Sequence, residues 1–184
     1  MSEHTHDPRC ATAHGETAAP ETPARRLLVV YASPLGSYLL HWGRELGFTT
    51  TLLEPDPASV TRSHRAAADG VVHHPATVEV SGDLDVVVTD HHRTDLGPVL
   101  APLVTARPRS IGIIGSPRHT GPHEAALAEQ GVAADLVATV RRPIGLDIGS
   151  RTPAEIALSI LAGLVADHSG RDGGRPESAA RVGA

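Results

Sequence analysis

Five short runs of β-branched or aliphatic residues set the rhythm of this chain: Leu27–Tyr31, Thr49–Leu53, Gly70–Val72, Asp85–Thr89 and Ser110–Ile114. Most lack the polar alternation of a sheet with one wet face, so they read as parallel strands covered on both sides. Between them the pattern changes period. Leu35, Leu39, Trp42 and Leu46 recur at helical spacing, as do Leu96, Leu100, Leu103 and Val104. Strands alternating with helices, joined by right-handed crossovers, predict an α/β fold with a mostly parallel sheet and helices on both faces. A chain of 184 residues suits one such domain. Residues 1–24 and 169–184 are polar, without apolar periodicity, and read as disordered tails that leave 25–168 as the domain.

The last predicted helix has the clearest start signal. Thr152-Pro153-Ala154-Glu155 fits a capping box, with Thr152 as N-cap, proline at the first helical position and Glu155 reaching back. Ile156, Ile160 and Leu164 then line one face, beside Ala157, Leu161 and Val165, so this helix is expected to lie flat on the sheet. Glu155 is read as a cap and not as a catalytic acid.

All 16 cationic side chains are arginine; lysine is absent. This excludes a P-loop lysine, a Schiff-base lysine and a lysine general base, and leaves arginine, or protonated histidine, to hold any anion. A formal charge of −5 and a pI near 6.1 argue against nucleic acid, which usually demands a basic stripe, and 2% aromatic residues argue against a base-stacking platform. The single cysteine, Cys10, forms no internal disulfide, no run approaches the roughly 18 apolar residues of a membrane span, and no apolar signal core opens the chain. A cytoplasmic protein without a membrane or nucleic-acid partner is expected.

Candidate sites fall at the ends of predicted strands, where open α/β sheets bind ligands. After the first strand, a dinucleotide-type G-x-G-x-x-G register reads Tyr31, Ser33 and Gly36, with only the third glycine present. Ser33 and Gly36 could offer an anion a hydroxyl and helix-terminal amides, and Ser33-Pro34 reads equally as an N-cap followed by proline. Glu54, at the end of the second strand, stands where a ribose hydroxyl would be held, or in a polar turn. The fourth strand delivers Thr89-Asp90-His91-His92-Arg93, in which Asp90 could orient His91 and Arg93 could meet a phosphate. The fifth runs into Gly115-Ser116-Pro117-Arg118, the best anion cradle in the sequence, with Arg118 supplying the charge. Asp147, between Gly145 and Gly149, is expected to satisfy the amides of its own loop. The chain carries 12 histidines, but the pairs His73-His74 and His91-His92 diverge on a strand, and His119/His123 lacks the glutamate of a zinc helix, so no metal site is assigned.

The segments GIIGSPRHT (Gly112–Thr120) and RPIGLDIGSRTPAEIALSILAGL (Arg142–Leu164) resemble the Rossmann-type C-terminal domain of the XdhC/CoxI family, accessory proteins of molybdenum hydroxylases such as xanthine dehydrogenase and carbon monoxide dehydrogenase. VVVTDHH followed by Asp95 is similar to that family's strand ending in Thr-His-Asp, here in the order Thr89-Asp90-His91. The resemblance implies a single Rossmann-like domain. It also implies a protein that binds molybdenum cofactor (molybdopterin), protects it during sulfuration and helps insert it into the apo-hydroxylase. Carried over by position, it places Ser33, Gly36, Thr89, Asp90, His91, Gly115, Ser116 and Arg118 at the cofactor. Family members carry an N-terminal domain that this sequence lacks, so the expected partners are the apo-hydroxylase, a separate polypeptide supplying that domain, and a second copy of the chain. Two other functions stay open on the same scaffold: an NAD(P)-dependent oxidoreductase and a nucleotide-binding regulatory domain. The sequence offers no nucleophile or acid–base pair, so no catalytic residue is assigned and a binding protein is the expectation.

Overall fold

A computed structural model describes residues 24–116 and 121–174. The expected tails therefore fall largely outside the described residues, Cys10 with them; 169–174 follow the last helix as turn and coil.

All five expected strands are present, their ends displaced by at most two residues: β1 (Arg25–Val30), β2 (Phe48–Leu53), β3 (Gly70–Val72), β4 (Leu84–Val88) and β5 (Ser110–Ile113). Every pairing is parallel, in the order β3-β2-β1-β4-β5. The helices are α1 (Pro34–Glu45), α2 (Arg62–Ala67), α3 (Leu96–Thr105), α4 (Pro122–Glu129), α5 (Ala134–Val137) and α6 (Pro153–His168).

The sheet is covered twice, which is why its strands do not alternate with polar residues. Leu27, Val29 and Val87 pack under α1 and α6 with Leu39, Ile160 and Leu164. Their neighbours Leu28, Val30, Val86 and Val88 point the other way, onto Val99, Leu100 and Leu103 of α3 and Leu127 of α4. Each such side chain, taken fully out of water, stabilises the fold by about 1.5–3 kcal/mol before conformational entropy is counted. α6 starts as its sequence predicts. Thr152 accepts the Glu155 N–H at 3.2 Å, and Glu155 accepts the amides of Thr152 and Arg151 at 2.9 and 2.8 Å. Those amides hold the Glu155 carboxyl below its ordinary range.

One feature of the sheet was not anticipated. Beyond β5 the chain returns alongside the edge strand: the Arg141 N–H donates to Ile111 O, and the Ile113 and Ile144 N–H groups donate to Arg141 O and Ile113 O. This short ladder occupies the edge that β5 would otherwise leave open. It also aims the following loop, residues 143–150, back over the carboxyl ends of the strands.

Candidate functional site

Strand order reverses between β1 and β4, so their carboxyl ends open the crevice in which folds of this kind place a ligand. Here several strand-end side chains are engaged with one another. Tyr31 follows β1 with φ 74°, a left-handed conformation that is costly for a bulky residue. Its ring is fully buried, with the Arg93 guanidinium 4.6 Å from the ring centroid. Burial, followed by the Asp95 carboxylate beside the hydroxyl, pushes its proton affinity up, so it stays neutral.

Glu54 is also fully buried. It accepts the Ala32 and Asp56 N–H groups at 2.8 and 3.0 Å and pairs with Arg93 at 3.2 Å. Arg93 is held on its other side by Asp95. The acid that could have met a ribose thus ties three loops together, and the arginine expected at a phosphate is held by two carboxylates. The His73 ring joins the same knot through the Glu54 carbonyl at 2.7 Å.

The first turn follows its structural reading. Ser33 caps α1 by accepting the Gly36 N–H at 2.9 Å, and its hydroxyl donates to Thr89 Oγ1 at 3.0 Å. Thr89 in turn donates to the Tyr31 carbonyl at 2.8 Å, closing β4 onto β1. Asp90 accepts the His92 N–H at 2.9 Å and so caps its loop. Ser33 and Thr89 thus tie the first turn to β4, while Gly36 and Asp90 are engaged in local caps.

His91 and Gly115 are disposed differently. They lie in the wall of an open cavity of about 550 Å³ that is bordered by the 143–150 loop and the first turns of α6, with Asp147, Ser150, Ile156 and Ser159 among its lining. That volume suits a small-molecule cofactor. Among the described residues the His91 Nδ1 is buried without a hydrogen-bond partner. Burial, then His92 and Arg142, lower its proton affinity, so the ring is neutral at pH 7. Gly115 has φ 153°, and a β-carbon there would fall 2.5 Å from Arg142 Nε; glycine is what lets the arginine lie against this turn. Ser116 follows it, exposed. Arg118, with His119, lies outside the described residues.

The loop that borders the cavity was read as self-satisfying, and that reading needs correcting. Asp147 makes no hydrogen bond or ion pair among the described residues. The loop is held by its backbone: Leu146 N–H donates to Ser159 O at 3.1 Å, and Gly145, at φ 104°, sits where a β-carbon would come 2.7 Å from Ser159 Oγ. The glycines flanking Asp147 were visible in the sequence. Invisible was that the glycines, and not the aspartate, fix the turn.

A second hollow of about 560 Å³ is lined by His123, Glu124 and small apolar residues of α4 and α5; none of the residues singled out at strand ends reaches it. Among the described residues no group of three or more His, Cys, Asp or Glu is placed to hold a metal ion, and no helix is long and apolar enough to cross a membrane.

A family model for the XdhC Rossmann domain matches residues 27–164. Over 64 residues the chain is 36% identical to YqeB of Escherichia coli strain K12, an uncharacterized protein; the stretch is 35% of this chain and 12% of that one. A crystal structure of a xanthine dehydrogenase from Bacillus halodurans superposes with a TM-score of 0.66 at 24% identity, over 86% of this chain and 46% of the other. At that identity the likeness concerns the fold, and this chain spans under half the length of its structural neighbour.

Proposed function

The chain belongs to the XdhC Rossmann-domain family, and from that membership we propose that it is an accessory protein of a molybdenum hydroxylase, of the xanthine dehydrogenase or carbon monoxide dehydrogenase type, that holds molybdenum cofactor during maturation or insertion. The observation that carries the proposal is the cavity at the ends of β4 and β5. It is large enough for a pterin bearing a phosphate, and its backbone is built around glycines. His91 lines it, and its imidazole Nδ1 is buried without a hydrogen-bond partner among the described residues. An orphaned buried nitrogen costs stability unless something pairs with it, and a ligand rich in hydrogen-bonding groups is such a partner.

The residues fit the group. His91 and Asp147 would meet its polar ring edges, Ile114, Ile144 and Ile156 its flat face, and the Gly115–Ser116 turn, with Arg142 against it, its phosphate. When bound, the cofactor supplies oxygen-atom and electron transfer at molybdenum, and that chemistry belongs to the client enzyme. This chain's part is to bind, orient and keep water from the group.

The engaged strand ends favour this reading over an NAD(P)-dependent oxidoreductase. A dinucleotide needs the space of the first glycine, which the Tyr31 ring occupies, and a ribose needs Glu54, whose oxygens are held by two amides and Arg93. The partner proposed is the apo-hydroxylase.

Incubation with cofactor released from a molybdenum hydroxylase tests the proposal. The chain should retain molybdenum and oxidised-pterin fluorescence through gel filtration and raise the activity of added apo-hydroxylase, while NADH should give a flat titration. Loss of all cofactor on the column would refute the reading.

A further inference from the structure

On the reading just given, we infer that Asp147 selects the ring of the ligand: its carboxylate receives the two adjacent N–H donors of a 2-amino-4-oxopyrimidine edge. Pterins carry that edge, and so do guanines.

An aspartate between two glycines ordinarily accepts the amides of its own turn. Asp147 does not; among the described residues it has neither hydrogen bond nor ion pair. The loop does not need it, because Leu146 N–H bonds to Ser159 O, Ile148 N–H bonds to Leu146 O, and Gly145 is packed directly against α6. A fixed loop thus carries an exposed carboxylate, without a protein partner among the described residues, at the wall of a cavity of about 550 Å³.

A carboxylate has two acceptor oxygens and no donor, so the neutral partner that satisfies both is a planar edge with two parallel N–H groups. The N3–H and 2-amino groups of a pterin provide that edge. The rest of the lining is consistent with a flat, partly apolar ring, since Ile114, Ile144, Leu146 and Ile156 line the same space. Charge divides the cavity as well. A phosphate is repelled by Asp147 and attracted to the Gly115 turn against which Arg142 lies, so a ligand with a donor-rich ring and an anionic tail has one favoured direction.

Fluorescence titrations with pterin-6-carboxylate, its 2-oxo counterpart lumazine-6-carboxylate, and guanosine monophosphate test this on the full chain. Lumazine places a carbonyl where pterin has an amine, so the unmodified protein is expected to bind the pterin about tenfold more tightly. In Asp147→Asn the side chain offers one acceptor and one donor, which matches lumazine, and the preference should vanish or reverse. Asp147→Ala should weaken pterin to about the level of lumazine, and as an exposed loop change it controls for folding by an unaltered thermal midpoint. Equal affinity for pterin and lumazine, or a pterin preference that survives in Asp147→Asn, overturns the role of Asp147 and leaves the cofactor reading intact. Binding of guanosine monophosphate without pterin keeps the edge recognition and overturns the cofactor reading. Binding of none of the three overturns both.

Discussion

Glu54 and Arg93 are 39 residues apart in sequence, yet their pairing decides what the crevice between β1 and β4 can hold. Glu54 was recognisable as an acid at a strand end, and Arg93 as a cation at another. That they face each other follows from the strand order, which no local pattern encodes. Removing the cation leaves a carboxylate with no exposed surface and only two amides, so Arg93→Ala is expected to cost about 2–3 kcal/mol in urea unfolding. A loss under 0.5 kcal/mol would mean that the two amides suffice. His123 gives a pH-dependent counterpart. Burial, then the nearby Arg142 and His91, lower its proton affinity below the ordinary 6.5, with Glu124 opposing. Below that value the unfolded chain binds a proton that the folded chain resists, so stability falls as the medium is acidified through and below about pH 6.5. His123→Gln should show a shallower decline between about pH 7 and 5 than the unmodified protein in parallel denaturant titrations; coincident slopes would remove His123 as the cause. Asp147 shows the opposite limit of legibility. The flanking glycines marked a bent loop, and the ordinary habit of aspartate in turns then suggested a bond that the structure does not contain.

Strands and capped helices were the elements most open to sequence reading, each for a physical reason. A strand buried on both faces is mostly apolar, which makes the Val86-Val87-Val88 run of β4 conspicuous. The N-terminus of α6 must satisfy orphan amides, and the Thr152/Glu155 box that does so lies within four consecutive residues. Thr152→Ala removes one half of that box and is expected to lower stability by about 1 kcal/mol. Because α6 also forms part of the cavity wall, the same variant should loosen pterin binding modestly, whereas an unchanged melting curve would show the box to be dispensable. The short helices α2, α4 and α5 and the Arg141 ladder gave no such signal. They are too brief for a periodic face, and the ladder consists of backbone bonds whose partners are far apart in the chain.

At the scale of the whole molecule, a parallel sheet separates two jobs onto two ends. Its carboxyl edge carries the crevice and the cavity; its amino edge carries a buried polar knot around Asp85, the second residue of β4. Asp85 is fully buried and meets Arg109 Nη1 at 2.9 Å, Ser110 Oγ at 2.5 Å and His168 Nε2 at 2.7 Å. His168 is the last residue of α6, and its ring also stands edge-on to Phe48 at 5.6 Å, so the knot pins the far end of the helix whose first turns line the cavity. Asp85 and Thr89 are separated by about 13 Å of extended strand, too far for direct contact between the knot and a ligand. His168→Ala leaves Asp85 with two partners and removes a packed ring, an expected loss of about 2 kcal/mol in urea unfolding. Measured well below the melting temperature, its affinity for pterin-6-carboxylate should stay within about twofold of the unmodified protein, because sites with no shared partner at this separation add independently. A tenfold loss of affinity with intact folding would instead mean that the pose of α6, set at its carboxyl end, is transmitted along the helix to the cavity.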